Sequence, residues 1–143
     1  MKDKEEFDTI LTNAYKRMHR YTCAEAGLQC LLEMWDLPND TLSWATAGYM
    51  GAIASSSTTC GLLIGSSIAI GFRCGQGLDN IPEQNTKERG RAIKAIKNLY
   101  KDFLKEFNET ECQKLINYNL GDPNQAVEYS QKKVYKSTCD VFL

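Results

Sequence analysis

The chain has 143 residues, with seventeen basic and eighteen acidic side chains and a net charge of −1. That length suffices for one domain with a real core and no covalent staples. The balanced charge excludes the basic surface that nucleic acid or an anionic membrane requires, and the longest uncharged apolar run, residues 58–72, is too short to cross a bilayer.

The opening, MKDKEEFDTIL, is charged where a secretory signal needs a basic and then an apolar run, so the expected location is cytoplasmic. In that reducing setting six cysteines exceed what packing needs and point to metal or redox chemistry. We expect a single all-α domain over residues 1–143. Its architecture would be a bundle of five to seven helices around a central small-residue apolar helix.

In chain order, Phe7, Ile10, Leu11, Ala14 and Met18 recur at helical spacing and predict an amphipathic helix whose outer face carries Lys16, Arg17 and Arg20. His19 is the single histidine and reads as a surface residue near a helix end, which excludes chemistry that needs a second histidine. In TCAEAGLQCLLEMW, Thr22 and Glu25 make a capping box, so a helix starts at Cys23. Its polar residues, Glu25, Gln29 and Glu33, form only a narrow stripe. Cys30 lies on the face of Cys23 but about 10 Å along the axis, too far for a disulfide between them. Pro38 ends that helix, and Asn39 or Asp40 caps a short one through Leu42, Trp44 and Ala45. Residues 48–57 read as a flexible glycine- and serine-rich loop, suited to cradling an anion before a helix.

Residues 58–72 are the expected central helix and the most buried element. Gly61, Gly65, Ser66, Ser67, Ala69 and Gly71 leave its backbone open to close approach. Hydroxyls of Ser57, Thr58 and Thr59 would cap it and place Cys60 in its first turn, where the helix dipole favours a thiolate. Cys60 is therefore expected to titrate below an ordinary thiol. Gly75, Gly77 and Pro82 mark the break before a long helix over 83–107, with Ile93, Ile96, Tyr100, Phe103 and Phe107 inward. Lys94, Lys97, Lys101 and Lys105 form a solvated stripe on it. Thr110 and Gln113 make a second capping box, with Cys112 in the first turn. A last helix runs from Pro123 through Ala126, Val127 and Val134 to Cys139.

Cys23, Cys60 and Cys112 thus each fall at a capped helix start, and converging N-termini would suit a metal, an iron–sulphur cluster or a redox dithiol. CAEA at Cys23, TCGLLIGSSIAIGFRCG at Cys60 and CQKL at Cys112 resemble the redox-active proteins named for a C–GCAxxG–C–C cysteine pattern. The resemblance spans residues 22–115. It implies redox activity and assigns Cys23, Cys60 and Cys112 as catalytic thiols and metal or cluster ligands. The GCAxxG element falls on residues 52–57, AIASSS, so Ile53 stands at a family cysteine. Cys30, Cys74 or Cys139 could complete the set, and Cys139 is the first choice. The chain has no C-x-x-C-H, so no haem is expected.

Two readings follow. One is a small redox protein using these thiolates, working with an electron-transfer partner. The other is a non-catalytic helical binding or scaffold protein whose cysteines are mainly packing residues. A homodimer is expected in either case, because residues 22–35 and the central helix carry more apolar surface than a small bundle covers.

Overall fold

A computed structural model describes residues 2–79, 83 and 85–143. It contains six α-helices: α1 Lys4–Arg20, α2 Cys23–Met34, α3 Gly61–Cys74, α4 Thr86–Phe107, α5 Cys112–Ile116 and α6 Pro123–Gln131. Three 3-10 turns, Asp40–Ala45, Val134–Lys136 and Cys139–Phe142, complete the described secondary structure. No β-strand occurs among the described residues, and the one β-bridge joins Thr59 to Glu111. No described helix is long and apolar enough to cross a membrane.

Helices α1 and α2 start where local chemistry says they should. The Asp3 side chain accepts from the Glu6 N–H and the Glu6 carboxylate accepts from the Asp3 N–H; Thr22 and Glu25 do the same for α2. Each reciprocal cap satisfies two of the backbone donors that a helix start leaves open. The apolar face of α1 buries Ile10, Ala14 and Met18, while Phe7 stays exposed.

The packing follows chain order: α1 lies on α2, α2 on α3 and α3 on α4. Glycines set the second of these contacts. A β-carbon on Gly65 would stand 1.9 Å from the Ala24 carbonyl oxygen, and one on Gly27 would stand 3.0 Å from the Leu62 carbonyl oxygen. Leu28, Leu32 and Ala69 fill the seam between α2 and α3 beyond these points. At its far end the Arg73 guanidinium sits 4.4 Å over the Trp35 ring, a cation–π contact between the two helices.

Several expectations are corrected. The apolar helix begins at Gly61 and not at residue 58, and it is not the most buried element. That place belongs to α2, which is covered on two sides and buries Ala24, Ala26, Gly27, Leu28, Gln29, Cys30 and Leu32. Helix α1 covers one side of α2 and α3 the other. The long helix starts at Thr86, not at residue 83, and the expected break at Pro82 lies outside the described residues. The last helix stops at Gln131: Lys133 takes φ 50, and the chain continues to Cys139 in short 3-10 turns.

The α2–α3 contact can be tested with two glycines of one helix. Gly65→Ala forces a methyl into the Ala24 backbone and should destabilise the fold by about 1–3 kcal/mol, the usual cost of overpacking. Gly71→Ala meets no atom within 4 Å and should stabilise it by roughly 0.5–1 kcal/mol through helix propensity. Thermal unfolding of both variants should give shifts of opposite sign. Equal shifts would show that α2 and α3 are not in backbone contact at Gly65.

Candidate functional site

Cys60 reaches the site by a route other than a hydroxyl cap. It is itself the N-cap residue of α3. The Ser57 hydroxyl donates to the Ala54 carbonyl, and the Thr58 hydroxyl accepts from the Ile53 N–H, both inside the preceding loop. What fixes Cys60 is the bridge between Thr59 and Glu111. Its N–H donates to the Thr110 carbonyl at 2.7 Å, and the Cys112 N–H donates to the Thr58 carbonyl at 2.8 Å. In antiparallel pairing this makes Cys60 and Cys112 diagonal neighbours on one face. Cys112 opens the five-residue α5 behind Glu111, so the expected Thr110 capping box is absent. The Thr110 hydroxyl pairs with that of Tyr100 instead, at 3.1 Å.

The loop over residues 46–59 is a fixed wall and not a flexible cradle. Gly51, Ala52, Ala54, Ser55 and Ser56 all have positive φ, a conformation that costs a non-glycine residue roughly 1 kcal/mol or more. Hydrogen bonds hold it. The buried Ser56 donates its N–H to the Gly51 carbonyl at 2.8 Å, and its carbonyl accepts from Gln113 at 3.0 Å. Its hydroxyl accepts from the Leu120 N–H at 2.9 Å. The result brings Gly51 against Cys112, where a β-carbon would come within 3.0 Å of the sulphur. The Cys23 thiol lies 3.8 Å from the Tyr49 carbonyl. On the same side a β-carbon on Gly61 would stand 2.2 Å from the Cys23 sulphur and 3.0 Å from the Tyr49 carbonyl oxygen.

These elements enclose one cavity of about 10 Å³, lined by Cys23, Cys60, Cys112 and Cys139 with Leu62, Leu115, Ile116 and Phe142. The three thiols singled out from the sequence thus share a pocket, and Cys139 is the fourth. The remaining two cysteines lie elsewhere. Cys30 packs with Ile10 and Ala14, and Cys74 lines a separate cavity between α3 and α4. Ile53 is 62% exposed and does not line the pocket. Sequence reasoning missed Tyr129, whose hydroxyl lies 2.9 Å from the Cys139 sulphur; nothing in its spacing marks it.

Burial governs the electrostatics. It pushes the Cys60 thiol up to about 12, the charge of Cys23 adding to the effect and the Leu62 and Leu63 N–H groups opposing it. Burial also raises Cys112, with Cys60, Cys23 and Cys139 adding to it. Cys23 is raised by burial against the opposing Gly51 N–H, and Cys139 by burial against the opposing Tyr129 and Thr138 hydroxyls. The expected depressed Cys60 is therefore wrong in sign: desolvation of the anion outweighs the helix terminus. Each thiolate would also raise its neighbours, so the pocket resists holding more than one anion.

The donor set is the soft, sulphur-rich kind that zinc and iron–sulphur clusters take. Its arrangement does not match: no group of three or more His, Cys, Asp or Glu side chains among the described residues is placed to hold a metal ion. A volume of about 10 Å³ admits about one water molecule, not a cluster.

Two pH effects follow. Alkylation of Cys60 in the reduced protein should show a midpoint near 12, not at the ordinary thiol value of about 8.5. The folded chain holds this proton more tightly than the unfolded chain. Cys60 thus contributes stability that is complete below the unfolded-chain thiol value of 9.0 and lost as pH rises towards about 12. Chemical denaturation between those limits should show stability falling with pH, less steeply in Cys60→Ser. A Cys60 alkylated at neutral pH as fast as a free thiol would contradict this.

No curated protein and no solved structure matches the chain. A family model does, over residues 21–143, under the description "Putative redox-active protein (C_GCAxxG_C_C)". The chain belongs to that C_GCAxxG_C_C family.

Proposed function

We propose that this protein is a thiol redox protein whose working groups are Cys23, Cys60, Cys112 and Cys139. They would cycle between two thiols and one disulfide. The observation that carries this reading is their convergence. Four cysteines from four separate segments line one small cavity, while the other two pack elsewhere. Cysteines serving only as packing residues, as Cys30 does, have no reason to gather in this way.

The electrostatics favour the same chemistry. Anions are costly in this pocket, through burial and through one another's charge. A disulfide removes the cost, because two thiols lose two protons and two electrons and leave no charge behind. A bound cation would neutralise thiolates too, but a cavity of about 10 Å³ leaves no room for an iron–sulphur cluster. A reducing compartment such as the cytoplasm suits the resting state, in which all six cysteines are free.

The test is anaerobic purification followed by metal analysis and a free-thiol count before and after mild oxidation. The disulfide reading expects little iron or zinc and the loss of two thiols, reversed by a dithiol reductant. Cys60→Ser should cut that reversible loss sharply, and Cys74→Ser should leave it unchanged. A brown preparation with stoichiometric iron would replace the disulfide by a cluster. No reversible thiol loss and no metal would leave the scaffold reading.

A further inference from the structure

The four thiols do not stand alike. Cys60 and Cys112 are buried at the starts of α3 and α5, whereas Cys23 and Cys139 are half-buried. A cavity of about 10 Å³ cannot admit a bulky oxidant. The residues that keep solvent-exposed surface, Cys23 and Cys139, are therefore the ones an oxidant reaches first.

Their partners separate these two. Cys23 is the more deeply desolvated and has the Tyr49 carbonyl at 3.8 Å, an acceptor that favours the thiol; only backbone N–H groups, of Gly51, Ala24 and Cys23 itself, oppose this. Cys139 has two side-chain hydroxyls, Tyr129 at 2.9 Å and Thr138 at 3.7 Å, the latter also donating to the Val134 carbonyl at 2.9 Å. A hydroxyl can turn its hydrogen towards a sulphur anion. Tyr129 is itself held in place, its ring 5.6 Å from that of Tyr118 and 6.3 Å from that of Tyr135. Beyond Cys139, Phe142 sits against Phe103 and Phe107, and Asp140 pairs with His19 at 2.9 Å. The 3-10 turn that carries Cys139 is thereby fastened across α1 and α4.

Resting on the thiol-redox reading, we propose that Cys139 is the thiol through which the pocket meets its oxidant, a small disulfide-bearing molecule, with the Tyr129 hydroxyl donating to the attacking sulphur. Cys139 releases its proton to solvent and attacks one sulphur of an external disulfide RS–SR. That S–S bond breaks, RS⁻ departs and takes up a proton, and Cys139 is left in a mixed disulfide. A second pocket thiol loses its proton and attacks the Cys139 sulphur. This expels the other RS⁻, which is protonated in turn. Two protein thiols have become one protein disulfide, RSSR has become two RSH, and two electrons have passed to the oxidant.

The experiment uses the full reduced chain and oxidised glutathione as the probe, quenched at successive times and mapped by peptide mass spectrometry. The expected first adduct is on Cys139, followed by a disulfide joining Cys139 to Cys23, Cys60 or Cys112. Tyr129→Phe should slow the Cys139 adduct by about tenfold, the worth of one hydrogen bond to a charged group. The rate at Cys74 should stay unchanged, which separates loss of the hydroxyl from loosening of the fold. Thr138→Val provides a second, smaller reduction should Tyr129→Phe fold poorly. A first adduct on Cys23, then a disulfide that omits Cys139, would overturn the proposal and leave the thiol-redox reading standing. Absence of any disulfide among the four would end both.

Discussion

A β-carbon at residue 61 would stand 2.2 Å from the Cys23 sulphur, and one at residue 65 would stand 1.9 Å from the Ala24 carbonyl oxygen. These two missing side chains let α2 and α3 meet backbone to backbone, and the site depends on that approach. The cost is local, since each interior glycine gives up roughly 1 kcal/mol of helix propensity. What it obtains is position: Cys23 at the start of α2 is brought beside Cys60 at the start of α3. The bridge between Thr59 and Glu111 then adds Cys112, and the C-terminal turn adds Cys139.

How much of this was legible depends on whether the determining contact is local. The Thr22–Glu25 capping box can be read from four residues, and it sits where the pattern puts it. The start of α3 cannot be read in that way. Ser57, Thr58 and Thr59 each satisfy the rule for a cap, yet a partner far along the chain takes the bonds that decide the matter. The same holds at Cys112, where Thr110 looks like a cap while its hydroxyl belongs to Tyr100 and its carbonyl to Cys60. Sequence reasoning named Cys23, Cys60 and Cys112 and preferred Cys139 as the fourth, with Cys30 and Cys74 kept as alternatives. It could not see Tyr129, which meets Cys139 only because α6 stops early and the chain turns back.

The sign of the Cys60 shift shows two principles competing at one atom. Helix N–H groups do act on its sulphur, through Leu62 and Leu63, and they act in the expected direction. They are outweighed because the same packing that forms the pocket removes water from the anion. A helix terminus lowers a thiol strongly only where solvent or a cation shares the work. Here the neighbours are three more thiols and four apolar side chains. The pocket therefore suits chemistry that ends without charge.

Position 53 shows which part of the family pattern the fold needs. Ile53, which the sequence reading sets at a cysteine of the pattern, has an exposed side chain, and its N–H donates to the Thr58 hydroxyl at 3.1 Å. The loop around it is held by main-chain bonds from Ser56 to Gly51 and from Gln113 to Ser56. Such bonds do not depend on the side chain at 53. A cysteine on this backbone would face outward, so Cys139 does not replace a lost wall of the pocket. It approaches from the C-terminal turn, beside Phe142. A change of side chain at 53 falls on the outer surface of the loop and leaves Gly51 and the four pocket sulphurs where they are.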